Sequence, residues 1–209
     1  MKKSIAFYGL AFLLLINIFL AFVVFMKNRN IAFLNIEISK FKTNDKYSLL
    51  KIEYCSKVVK WIQKANQISF PPKLTLQNEL GNVVLLSNLV GEKPKLVFRY
   101  SQLNCNICVD SQMDFVKKFA NKYGYDKLIM VSNYKFKKNI FQFKTLNNIN
   151  NEIYNIEVLD SALDILNIPY YFILDKDCHP TKFHFPEKIF PENTKEYFKS
   201  IEDQYFKDL

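Results

Sequence analysis

Two cysteines separated by two residues, Cys105-Asn106-Ile107-Cys108, are the side chains best placed to do chemistry. Lys95 to Tyr100 before them reads as a buried strand, Ser101 to Asn104 as a short link, and Val109 to Tyr123 after them as a helix. Cys105 therefore falls at a strand-to-helix junction, where free backbone N–H groups and the positive end of the helix dipole stabilise an anion. A thiolate is such an anion and is the reactive form of cysteine; a helix N-terminus and a neighbouring thiol both favour it. The spacing lets the second sulfur reach the first within one helical turn. This predicts a dithiol that cycles to a disulfide. Cys105 would be the accessible nucleophile and Cys108 the resolving thiol. No cofactor is expected beyond the redox-active Cys105–Cys108 pair.

The elements around this pair follow from hydrophobic spacing. Leu74-Thr75-Leu76 and Val83 to Leu86 flank Glu79-Leu80-Gly81-Asn82, a hairpin signal with its turn near Gly81. Beyond the cysteines come an apolar strand at Lys127–Ser132 and a helix at Lys135–Leu146, with Phe136, Ile140 and Phe143 on one face. A short strand at Ile153–Val158, a short helix at Asp160–Leu166 and a buried strand at Tyr170–Leu174 follow. Thr181–Phe185 pairs with that strand through the Asp175–Pro180 turn. Glu192–Phe206 closes the chain as a helix, with Tyr197, Phe198, Ile201 and Tyr205 inward. Strands alternating with helices, then a hairpin and a helix, predict an α/β sandwich.

The chain has 209 residues, twenty of them Phe, and a formal charge of +9. That is enough apolar material for a core without disulfide staples. The lysines are scattered, with no clustered basic and aromatic stripe, which argues against nucleic-acid binding. Met1-Lys2-Lys3-Ser4 precedes an uncharged apolar run, Ile5 to Met26, closed by Lys27 and Arg29. Its length matches the roughly 20 residues that cross a bilayer as a helix. It lacks the small-x-small cleavage site of a secretory signal, so an uncleaved single-span anchor is expected. Charge flanks both ends and does not decide orientation. The signal-like N-terminus and the oxidisable pair favour a bacterial inner-membrane protein whose domain faces the periplasm or cell exterior. Residues 1–29 are then the anchor. Residues 30–72 are a connector and an amphipathic helix, with Tyr47, Leu50, Tyr54, Val58 and Trp61 at helical spacing and Pro71-Pro72 beyond it. Residues 73–209 are the α/β domain.

The order hairpin, strand, Cys-x-x-Cys helix, strand, helix, then Ile168-Pro169 before an apolar strand resembles the thioredoxin fold. With the N-terminal anchor and the segment Leu76 to Leu89, it is similar to the TlpA-type redoxins, tethered thiol–disulfide oxidoreductases of the bacterial envelope. The resemblance implies a thioredoxin-like sandwich with an N-terminal β-hairpin extension. It carries over at Cys105, Cys108 and Pro169. It implies a cis Ile168–Pro169 bond facing the dithiol and shaping the edge where a partner chain docks. Its partners would be protein thiols and disulfides and an electron donor. Asn104 stands where the family usually has an aromatic residue, Ile107 where it often has proline, and Ser111 where it often has a carboxylate. A peroxidase of this fold typically carries Thr three residues before its cysteine, and here that residue is Gln102.

Other readings compete at several residues. A zinc site would need two more ligands, and Cys178-His179 is the only obvious pair. With Pro169 beside the dithiol, the following strand carries Cys178 roughly 20 Å away. Cys55 and Cys178 read as a structural bridge or as two idle thiols. His179 and His184, assigned to a distal hairpin, receive no catalytic role. Arg99 either snorkels to a sheet edge or helps to hold Cys105 as thiolate. The function class that competes with an oxidoreductase is a non-catalytic thioredoxin-like binding module of an envelope assembly.

Overall fold

The computed structural model describes the backbone of residues 2–207 except Pro72, Leu103 and Cys105. Side chains are described from Phe19 onward, apart from those positions and residues 30, 32–34, 36–41, 43, 44 and 106. The chain divides into two units, residues 1–54 and 55–209.

The first long element is one helix, α1 (Lys2–Ala65). The connector expected at residues 30–44 is helical too, because residues 10–70 hold neither glycine nor proline to interrupt it. Among the described residues no helix is long and apolar enough to cross a membrane. The span expected at Ile5–Met26 falls mostly on residues whose side chains lie outside the description. The last turns of α1 belong to the second unit. There Trp61, Ile62 and Ala65 pack on the domain, and Trp61 meets the Phe185 ring edge-on at 5.4 Å.

The second unit is built on a seven-stranded sheet. In chain order its elements are β1 (Thr75–Gln77), β2 (Val83–Leu85), α2 (Leu86–Val90), β3 (Lys95–Arg99), α3 (Asn106–Asp110), α4 (Met113–Tyr123) and β4 (Leu128–Ser132). Then come α5 (Lys137–Asn147), β5 (Ile153–Asn155), α6 (Ser161–Asp164), β6 (Tyr170–Leu174), β7 (Pro180–His184) and α7 (Pro191–Ile201). The strand order is β2-β1-β5-β4-β3-β6-β7. Strands β3, β4 and β5 are parallel; β6 and β7 add antiparallel on one side and the β1–β2 hairpin on the other. The hairpin is clipped on by Glu79, whose Oε1 accepts from Lys144 Nζ (2.6 Å) and the Ile153 N–H (2.8 Å). Its turn needs a positive φ, which Gly81 supplies at +91°.

Strands β3, β4 and β6 are buried at every residue, because the sheet is covered on both faces. One face carries Leu96, Phe98, Tyr100 and Met130 under Met113, Val116, Phe119 and Phe198. Phe98 stacks on Tyr171 at 4.5 Å and Phe119 meets Phe206 edge-on at 4.9 Å. The opposite face packs Val97, Ile129, Val131 and Phe172 against Ala65, Val90 and Leu163.

Several boundaries differ from expectation. Phe136 sits at the N-cap of α5 and is exposed, leaving Ile140 and Phe143 to face the core. The C-terminal helix changes winding after Ile201 into a π-helical turn, Glu202–Phe206, which buries Phe206.

Candidate active site

The helix expected at Val109–Tyr123 starts earlier, at Asn106, and is broken at Ser111-Gln112. The break has a local cause. Gln112 N–H, which would bond the Cys108 carbonyl in a regular helix, bonds the Val109 carbonyl instead (2.9 Å). Ser111 Oγ donates to the released Cys108 carbonyl at 2.9 Å, the serine back-bond that competes with helix. The buried Gln112 amide donates to Ser111 Oγ (3.0 Å), and Gln112 Oε1 accepts from the Tyr171 hydroxyl (3.4 Å). A polar chain thus runs from the first turn of α3 to the middle of β6. Ser111 and Gln112, the latter not singled out by the sequence, make this link.

Cys108 is half-buried on α3. Cys105 lies outside the described residues. The chain leading to it is tied down. Ser101 N–H donates to Asn104 Oδ1 (2.6 Å), and Asn104 N–H returns a bond to the Ser101 carbonyl (3.0 Å). Gln102 N–H donates to Asn133 Oδ1 (2.7 Å), and Gln102 Oε1 accepts from Lys135 N–H (3.2 Å). Asn104, buried, closes this turn, a task an aromatic residue could not perform.

Ile168 and Pro169 lead directly into β6, next to the Arg99–Tyr170 pair and at the end of the sheet where β3 runs out toward Ser101. No cis peptide bond occurs among the described residues. The expected cis Ile168–Pro169 bond is therefore corrected to trans. The reversal that delivers the chain to β6 is made one residue earlier, where Asn167 adopts a left-handed φ of 52° after bonding the Asp164 carbonyl (3.2 Å).

Arg99 does not snorkel to a sheet edge. It is 1% exposed and alternates along β3 with Phe98, so it shares the face of Val97, away from the face that packs Val109. Its guanidinium grips Asp164 with two bonds, Nε to Oδ1 at 3.1 Å and Nη2 to Oδ2 at 2.7 Å. It also donates to the carbonyls of Ile156 (3.3 Å) and Glu157 (3.4 Å). Asp164 further accepts from the Tyr170 hydroxyl (2.9 Å) and Leu159 N–H (2.8 Å). Burial, with Asp164 beside it, pushes the Tyr170 phenol up.

The remaining sulfurs and imidazoles separate cleanly. Cys178 sits in the β6–β7 turn, past the Leu174–Lys95 pair at the far end of the sheet, and burial raises its thiol pKa. Cys55 is exposed on α1, and neither thiol is bridged. Asp175, Asp177 and His179 converge in the same turn. There Asp175 Oδ1 accepts the N–H groups of Asp177 (3.0 Å) and His179 (2.8 Å), which orders the loop. His184 lies in the same β6–β7 hairpin, at the opposite end of β7 from that turn, where it pairs with Tyr171. It bonds Thr194 Oγ1 (3.0 Å) and stacks on Tyr197 at 4.6 Å; burial lowers its pKa to about 4.

The sheet and its covering helices superpose on solved structures. A mutant of Xylella fastidiosa PrxQ superposes with a TM-score of 0.50 at 8% identity, over 66% of this chain and 94% of its own. The fold is thioredoxin-like. An uncharacterized thioredoxin-like protein from Porphyromonas gingivalis also aligns, at TM-score 0.45, 18% identity and 61% and 89% coverage of the two chains. So does a secreted Mycobacterium tuberculosis disulfide oxidoreductase, at TM-score 0.44, 14% identity and 61% and 96% coverage. No protein-family model and no curated protein matches the sequence.

Proposed function

We propose that this protein is a membrane-tethered, TlpA-type thiol–disulfide oxidoreductase acting on protein disulfides through Cys105 and Cys108. The observation that carries the reading is the position of α3. It opens at Asn106, a short link after the parallel strand β3 of a thioredoxin-like sheet, with Cys108 half-buried in its first turn. The Cys105 thiolate attacks one sulfur of the partner disulfide. A Cys105–partner bond forms, and the second partner sulfur leaves as thiolate and takes up a proton. Cys108, having given its proton to solvent, attacks Cys105 Sγ; the Cys105–Cys108 bond forms and the partner departs as a dithiol. Two electrons pass to the partner, and a dithiol electron donor restores the pair by the reverse exchange. Ile168 and Pro169, in the trans form, flank the docking edge.

Reduction of insulin disulfides by the full chain tests this. Turnover is expected, with loss on Cys105→Ser. No turnover by the native chain would favour the non-catalytic binding module. The apolar run Ile5–Met26 supports tethering, with the domain outside the cytoplasm. A C-terminal reporter active only in the cytoplasm should stay silent; a signal from it would reverse that orientation.

A further inference from the structure

A groove of about 460 Å³ opens beside α3. One wall is Val109 and Asp110, the residues directly after Cys108. The other is the α5 stripe Asn139, Gln142, Phe143, Leu146 and Asn147, with Tyr134 also in the lining. This stripe repeats at three and four and leaves out every lysine of α5. Those lysines are occupied elsewhere: Lys137 bonds the Leu80 carbonyl (2.9 Å), Lys144 pairs with Glu79, and Lys138 lies over the Phe136 ring at 5.7 Å. Lys117, at the far end, donates to the Asn147 carbonyl (3.3 Å). Among the described residues lining the groove, Asp110 is the only charged one, in a chain of net charge +9. Leu146 is 76% exposed within it. Burial, with the Asp110 charge nearby, pushes the Tyr134 phenol up to about 12.

We infer that this groove is a specificity site for the protein substrate, taking an extended polypeptide segment with a Lys or Arg side chain next to the disulfide under attack. The inference rests on the dithiol reading above. Side-chain amides from Asn139, Gln142 and Asn147 offer both donors and acceptors to an extended backbone. Val109, Phe143 and Leu146 receive apolar side-chain stems, and Asp110 receives the cation. Val109, the residue after Cys108, lines the groove, so a chain lying in it passes beside α3, the helix that carries Cys108. In a chain of net charge +9, an acid-bearing groove that leaves out the lysines of α5 sharpens the choice of a basic segment.

The test uses two peptide disulfides that differ only in carrying Lys or Glu beside the half-cystine, with neutral hydroxyethyl disulfide as a small probe. The full chain should favour the Lys peptide by about five-fold in kcat/KM, the scale of one exposed ion pair. Asp110→Asn, and independently Gln142→Lys from the other wall, should bring the ratio close to unity. The ratio cancels any change in dithiol reactivity. No preference in the native chain, or a preference that survives both substitutions, would overturn the site. So would reduction of hydroxyethyl disulfide without turnover of either peptide, and that result leaves the dithiol reading standing. If none of the three is reduced, the dithiol reading falls. Calorimetric binding of the S-methylcysteine forms of both peptides then decides the groove: Lys-selective binding keeps it, equal binding removes it.

Discussion

The two faces of the central sheet are stabilised by different physics. Under α4 and α7 the sheet presents rings and aliphatic side chains, with Phe98, Tyr171, Phe119 and Phe198 in mutual contact. Its principal polar thread is the Gln112 link back to α3. The other face holds a buried Arg99–Asp164 pair whose remaining bonding capacity is filled by Tyr170 and backbone groups. The strongest charge near the outlet of β3 therefore lies across the sheet from the cysteine helix. It is spent on joining β3 to α6. The lesson is that strand alternation, rather than nearness in sequence, decides which face of the sheet a basic residue serves.

Breaking the ion pair should have the largest effect. Arg99→Leu or Asp164→Leu leaves one buried charge unpaired, at a cost of about 3–5 kcal/mol. Urea unfolding should show it, and the double replacement should recover much of the loss. The alkylation rate of Cys105 in the folded protein should not change; a shift there would mean that the two faces communicate electrically. Acidification comes next. His184 has a folded pKa of about 4, below the ordinary histidine value near 6.5. Its contribution is therefore fully present above pH 6.5 and is lost as pH falls through 4, on the order of 3 kcal/mol. Comparing unfolding at pH 7 and pH 4.5 in native protein and His184→Gln isolates it, since the variant should lose less. The smallest effect concerns the polar thread. Gln112→Leu leaves the buried Tyr171 hydroxyl without its partner, at about 1–3 kcal/mol. Gln112→Glu, which keeps the acceptor for Tyr171, should recover part of it; equal loss in both would show that packing, rather than the hydrogen bond, matters there.

What was legible in the sequence was what local pattern controls. The strands at Lys95, Leu128 and Tyr170 are continuous apolar runs, and they fold as buried strands. The Gly81 hairpin likewise follows its turn chemistry. The single helix read at Val109–Tyr123 failed because a side-chain back-bond at Ser111 is invisible to hydrophobic spacing. Phe136 fitted the helical period but fell on the cap, where the chain turns away. Arg99 could not be paired from sequence because its partner lies 65 residues on. The trans Pro169 was hidden for a similar reason: a left-handed Asn167 makes the turn, and asparagine tolerates that conformation without announcing it. At the site, a helix following the cysteines was readable, but its start at Asn106, which puts Cys108 inside it, was not; the lysine-free stripe of α5 emerged only once α3 lay beside it.

The placement of α2 also bears on how the molecule survives crowding. Strand β2 forms an outer edge of the sheet, with Val83 and Leu85 exposed along it. Such an edge offers its backbone to any neighbouring chain as a template for polymerisation. Here the template is three residues long, because α2 begins at Leu86, immediately after it, and curls the backbone out of reach. That single turn of helix is a stopper, and mutations that unwound it would turn a harmless edge into a seed.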